Sequence, residues 1–331
     1  MPHNRLTWRV LLTGLVLGAM AAPAATTPSP TSTLPADPIA AGHLEWREVE
    51  TLRQQFLDTR LAQVERIEAI RAAIQRARGI IDRYPSHPDR LDWRLSLGQD
   101  LIFRLGQPYH RRLLCDPTDA EAAEGLSPLA EEASTVLADV HETVVRRIEA
   151  ISRLPAEAFR KAVASGQPRR LVGMKSRAGY ALAWGRFYWA VSLPDTEPVQ
   201  REQRLVQVVT YLAPEGGRLR GELGRPPMRL AGLLLLGMSQ RRLDRLDAAR
   251  RSLHKALAIC SRLDGTPEEH DCFWEQLLVR LEYVRLLCDQ GQPDAAAQQL
   301  EALRRWLEHY PHERPDRLLA EGLLLPGPPG S

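Results

Sequence analysis

Residues 233–257 read LLLLGMSQRRLDRLDAARRSLHKAL, and the spacing inside this stretch decides the fold. Leu233, Leu236 and Gly237 fall together on a first helix, predicted over 228–242. Ala249, Leu253 and Ala256 recur at steps of four and three on a second, predicted over 246–263. Gly237 and Ala249 have little or no side chain, so the two helices can approach closely. Leu253 fills the space between them, and Ala256 leaves room for the next helix to pack on top.

A looser copy of this arrangement covers 281–303. Gly291 occupies the turn, Asp294-Ala-Ala296 opens the second helix, and Leu300 follows. Val284 stands where the first copy has Gly237, and Leu303 where it has Ala256. Asp244 and Gly291, the equivalent turn positions, are 47 residues apart, which implies lengthened helices or an insertion around Asp264-Gly-Thr-Pro267.

Similar punctuation recurs elsewhere. The tripeptide Gly-Gln-Pro occurs at 106–108, 166–168 and 291–293. Glycine suits the left-handed position after a helix, and proline suits the first turn of the next. The strings YPSHPDR (84–90) and YPHERPDR (310–317) also echo each other. From Trp46 to Tyr84 the apolar residues fall at steps of three and four, giving one long helix or a broken pair that Pro85 stops. No stretch after His43 alternates with period two, so no strand is expected. The predicted helices are 44–83, 89–105, 128–153, 169–193, 199–213, 228–242, 246–263, 271–290, 294–310 and 315–323. Residues 107–127 read as a loop with Asp116-Pro-Thr-Asp119 as a turn.

The pattern of Leu233, Leu236, Gly237, Ala249, Leu253 and Ala256 resembles a tetratricopeptide (TPR) repeat, and Gly291, Ala296 and Leu300 resemble a degenerate second one. The resemblance departs from the family in period, which is about 34 residues there. It implies an all-α protein, an α-solenoid of helix-turn-helix pairs over 166–325, preceded by an N-terminal helical region at 43–165. It also implies that the first helix of each pair lines a concave face. Met238, Arg241 and Arg242 from one repeat, with Arg285 and Asp289 from the next, would then face a groove and grip carboxylates of a protein or peptide.

Arg5 and Arg9 precede an apolar run from Val10 to Ala22, with small residues at Ala19, Ala21 and Ala24. The run is short for a membrane span, so 1–24 read as a cleavable signal peptide, and the protein as secreted or periplasmic with no span after cleavage. Residues 25–42, rich in Pro, Thr and Ser, read as a linker, and 326–331 as a disordered tail. Removing the signal lowers the formal charge from +3 to +1. Positive and negative residues are interspersed along the helices, which argues against a nucleic-acid footprint.

The chemistry-bearing residues are few. Lysine occurs three times and asparagine once, at Asn4. Adjacent Glu131 and Glu132 diverge on a helix and cannot flank one glycosidic bond. The run Glu268-Glu-His-Asp-Cys272 has ligand residue types, but contiguous residues cannot converge on one ion, so no metal site and no cofactor is expected. His87 and His312 read as turn histidines bonded to backbone. Of Cys115, Cys260, Cys272 and Cys288, Cys260 and Cys272 can staple the loop between two helices; otherwise they are buried thiols acting as small apolar residues. Tyr180, Trp184, Phe187 and Tyr188 form a stripe at i, i+4, i+7 and i+8, a core face or, alternatively, the lining of a sugar or peptide groove. Trp189 lies off that stripe, placed for an exposed contact. No phosphate loop or nucleophile elbow is present. The reading is a non-catalytic scaffold for a protein or peptide. The alternative is a small-molecule binding or transporter-accessory protein, for which a pocket near Trp184–Trp189 would speak. A helical-toroid polysaccharide enzyme ranks last.

Overall fold

The structure, a computed structural model, describes residues 37–214, 226–263, 265, 266, 269 and 272–309. Its regular elements are α1 (Pro38–Leu57), α2 (Gln63–Arg83), α3 (Arg90–Gln99), a π-helical segment (Asp100–Gly106), α4 (Gln107–Cys115), α5 (Ala120–Ser152), α6 (Ala156–Ala164) and α7 (Gln167–Ser192). The remainder are α8 (Pro198–Leu212), α9 (Pro226–Arg242), α10 (Leu246–Leu263), α11 (Phe273–Asp289) and α12 (Pro293–Glu308). The described residues are all-helical, with no strand, and no helix among them is long and apolar enough to cross a membrane. The signal peptide, most of the expected linker, the helix expected at 315–323, His312 and the tail lie outside the described residues.

The N-terminal third departs most from expectation. Helix begins at Pro38, not after His43, because Asp37 caps it: the Asp37 carboxylate accepts from Ile39 N at 2.9 Å, and Pro38 sits in the first turn. The stripe from Trp46 to Tyr84 is a broken pair. Asp58 ends α1, and α2 restarts where Glu65 accepts from Ala62 N at 2.8 Å. The expected loop at 107–127 is instead α4 and the start of α5, separated only by the turn Asp116–Asp119. Asp119 is also an N-cap, accepting from Ala122 N at 2.9 Å, so α5 begins at Ala120 and carries Pro128 inside it. The short helix α6 has no counterpart among the predicted elements.

The repeated Gly-Gln-Pro tripeptide takes two conformations. Gly166 and Gly291 have φ of 74° and 67°, left-handed positions at helix junctions, as the sequence suggests. Gly106 has φ −78°, and the helix runs on through it. Here the backbone has widened into π turns, and a Cβ at 106 would lie 2.9 Å from the Leu101 carbonyl oxygen. This glycine serves close backbone approach rather than a break.

The C-terminal helices meet their spacing closely. The second helix of the first pair spans Leu246–Leu263. A Cβ on Gly237 would lie 2.7 Å from Leu253, and Leu233, Leu236, Ala249, Leu253 and Ala256 are all buried. A three-residue connection joins α9 to α10, so the two pack antiparallel. α11 packs on both, and α12 on α11. Ala296 is buried in that second pair, with Leu300 packed half-buried beside it. α5 and α7 run through the centre. Ala122, Leu126, Ala130, Ala133, Leu137, Val140 and Val144 of α5 are fully buried, and α7 is buried almost all round between Ala178 and Ala190. The main core is continuous from Val49 to Val279, so residues 43–165 share it with the C-terminal pairs.

Candidate functional site

The π-helical segment contributes side chains to two cavities, and the more enclosed of them carries the site. Its Phe103 lines a half-enclosed cavity of about 260 Å³ together with residues from four helices. α4 contributes Gln107, His110, Arg111 and Leu114, and α7 contributes Tyr180, Trp184 and Tyr188. α9 adds Leu234, and the start of α11 adds Trp274, Glu275 and Leu278. Its size is just below the ~300–1,000 Å³ typical of ligand sites. It lies where the N-terminal helices meet the C-terminal pairs.

The aromatic walls are ordered by stacking. His110 stacks on Tyr188 at 4.5 Å and meets Phe187 edge-on at 5.8 Å, while Phe103 stacks on Tyr180 at 6.1 Å. Arg111 lies over the Trp274 ring, its Cζ 4.1 Å from the centroid. Burial pushes the Tyr180 and Tyr188 hydroxyls well above the ordinary tyrosine range, so both stay neutral donors. Burial, helped by Arg242 and Arg285, pushes His110 down to about 3, so its imidazole is neutral at physiological pH. Burial raises the Glu275 carboxyl, with Arg111 opposing it. The Glu275 backbone N–H also favours the ionised carboxyl.

The stripe Tyr180, Trp184, Phe187, Tyr188 is thus both core and cavity wall. Sequence reasoning missed Phe103, Gln107, His110, Arg111, Leu114, Leu234, Trp274, Glu275 and Leu278. Gln107, His110, Arg111 and Leu114 belong to the segment read as a loop; the available signal there was Pro108 three residues before Arg111, a first-turn proline opening an apolar-periodic stretch.

The residues expected to line a groove are largely engaged within the chain. Met238 is only 1% exposed. It therefore sits in the core rather than on an open face, because α9 is packed by several neighbouring helices and Met238 belongs to the main buried cluster. Arg241 Nε donates to Glu282 Oε1 at 2.5 Å and Arg241 Nη1 to Asp289 at 2.7 Å. Arg242 and Arg285 lie 3.5 Å from the same Glu282, which is 2% exposed. Arg285 Nη2 also donates to the Leu114 carbonyl at 2.9 Å, reaching back to the end of α4. Burial opposes ionisation of Glu282, yet the three arginines outweigh it and hold the carboxyl below its ordinary value. Burial pushes Arg242 down to about 10, and its guanidinium lies over the Phe187 ring. Trp189, expected to be exposed, is half-buried under Arg204, whose Cζ is 3.8 Å from its ring.

Among the remaining expectations, His87 stacks on Trp93 at 4.1 Å, and its Nε2 lies 3.2 Å from the Ile39 carbonyl while Nδ1 accepts from Asp89 N. It is a turn histidine bonded to backbone. Cys260 and Cys272 are both buried in the main core, where either a staple or two small apolar side chains would place them. Non-reducing peptide mapping separates the two. Among the described residues, no group of three or more His, Cys, Asp or Glu could hold a metal ion.

Set against known proteins, the chain matches no family model, no curated protein and no solved structure. Its function therefore rests on the site itself.

Proposed function

We propose that this chain is a non-catalytic binding protein of the cell envelope, an α-solenoid of TPR-like helix pairs whose ligand is a small molecule held in the aromatic cavity. The observation that carries the reading is the convergence of Phe103, Tyr180, Trp184, Tyr188 and Trp274 on one half-enclosed space where, among the described residues, Glu275 is the one carboxyl. Such walls suit a flat, partly apolar ligand. Glu275, half-buried in the cavity wall, suits a ligand amine or amide that donates a hydrogen bond. Among the described lining residues one carboxyl cannot supply both the acid and the nucleophile of glycoside hydrolysis, which supports binding over polysaccharide chemistry. The arginines that would grip a peptide carboxylate are held by Glu282 and Asp289, which weighs against a groove scaffold.

The test is native mass spectrometry of the protein purified from its own envelope. A stoichiometric small molecule is expected, absent from Leu278→Trp, which fills the cavity, and weakened at least tenfold in Glu275→Gln. Ligand retained by folded Leu278→Trp would overturn the site.

The peptide scaffold keeps one observation in its favour. Three guanidiniums share two carboxylates, and Arg242 Nη1 has no hydrogen-bond partner among the described residues. A chain-terminal carboxylate would complete that cluster. On this reading, a protein crosslinked in the envelope is lost when Arg242 becomes Glu, while Leu278→Trp leaves it bound.

A further inference from the structure

The corner formed by the end of α5, α6 and the start of α7 is unlike the rest of the surface. Between Ile151 and Arg177 seven lysines and arginines accompany one acidic residue, Glu157, whereas the whole chain carries only +3. Leu154, Phe159, Val163 and Val172 are four of the nine large apolar side chains exposed among the described residues. α6 has no buried residue; it rests on α7 and the end of α5, with Ala162 against the core.

Helix geometry sorts these features. At about 100° per residue, Ala158 and Ala162 point inward. Phe159, Val163 and Ala156 share the next face outward, and Arg160 borders it. Phe159 is 41% and Val163 51% exposed. Glu157 and Lys161 pair with each other at 3.0 Å on the opposite side, so the only acid of the helix is turned away from the apolar face. Of the other cations, Arg153 approaches Glu149 and Arg170 pairs with Asp92 and Asp89. Arg160, Arg169 and Arg177 make no ion pair among the described residues.

We propose that this corner docks the protein onto an anionic phospholipid surface, with Phe159 and Val163 entering the headgroup–acyl boundary and Arg160 and Arg169 contacting lipid phosphates. An amphipathic helix with a basic border lies in such an interface. Each basic residue near an anionic surface strengthens binding in a salt-dependent way. A helix with no buried residue and an exposed apolar face suits a soft surface that closes around it.

The experiment sediments the full chain with vesicles of phosphatidylcholine containing 30% phosphatidylglycerol (a proportion of ~30% suffices to set a negative surface potential) and with phosphatidylcholine alone. Binding at least tenfold tighter to the anionic vesicles, weakened by salt, is expected. Phe159→Glu with Val163→Glu should lower it at least tenfold, as should Arg160→Glu with Arg169→Glu, each with unchanged circular dichroism because all four positions are exposed. Amide hydrogen exchange within 154–173 should slow on the vesicles. Binding that survives both variants, or leaves exchange there unchanged, belongs to another part of the chain and overturns the proposal. So does a concentration-dependent dimer in sedimentation velocity that the Phe159 and Val163 changes abolish, since the face would then belong to a second copy.

Discussion

His110 shows at the residue scale how burial becomes a pH dependence. Its folded value of about 3 lies below that of an unfolded histidine, so between these pH values the unfolded chain binds the extra proton. Stability attributable to His110 is complete above about pH 6.5 and falls as the pH drops toward 3, by at most ~1.4 kcal/mol per unit. Glu282, depressed in the folded state, adds its own loss below the ordinary carboxylate range. Urea unfolding between pH 7 and 4.5 should therefore show a steep loss in the native chain and a flatter one in His110→Gln. An unchanged slope would place the acid sensitivity elsewhere. Gly237 makes a second residue-scale case. Alanine is the better helix former by about 1 kcal/mol, but its Cβ would press on fully buried Leu253. Gly237→Ala should lose a net ~1–2 kcal/mol, and Leu253→Ala in the same chain should make the glycine change favourable, a coupling that a double-mutant cycle reads directly.

At the scale of elements, the π-helical segment is where one sequence motif serves two structures. Gly106 faces the Leu101 carbonyl, while Gly79 in α2 has nothing within 4 Å of where a Cβ would be. Gly79→Ala should raise stability by about 0.5–1 kcal/mol through lower unfolded-state entropy. Gly106→Ala should lower it and shift the tryptophan emission of the cavity as Phe103 moves. Equal effects of the two substitutions in denaturant titrations would mean that the π turns are not held by this glycine. Similar tripeptides at 166 and 291 mark real junctions because their glycines carry positive φ. The difference lies in what packs beside each one: Leu126 of α5 and Tyr188 of α7 hold the helix at 106 in line.

On the scale of the whole molecule, the Arg241–Arg242–Arg285–Glu282 cluster ties distant parts of the chain together. Arg285 on α11 reaches the carbonyl of Leu114 on α4, 171 residues earlier, beside the cavity. Glu282→Gln would leave three buried or half-buried guanidiniums facing one remaining carboxylate. It should cost about 3–5 kcal/mol, as removing one partner of a buried pair does, and calorimetry should show a lower Tm. A loss under 1 kcal/mol would mean that water reaches the cluster freely. This closure also explains why the groove arginines inferred from repeat spacing proved to be internal partners. Spacing places a residue on a helix face, but whether that face is open depends on which later helix covers it.

The sequence alone determined the all-helical class and the close helix pair around Gly237, because helical periodicity and small-residue contacts are local and recur every three or four positions. It also determined the junctions at Gly166 and Gly291 and the backbone-bonded role of His87, since turn chemistry acts within a few residues. Tertiary structure alone decided that α4 exists where a loop was read, that a π segment carries Gly106, and that Met238 is core. It alone brought Phe103, Arg111, Tyr180, Trp184 and Glu275 to one cavity. Those outcomes depend on packing between helices far apart in the chain, where the burial of a face is set by its neighbours and not by its own periodicity.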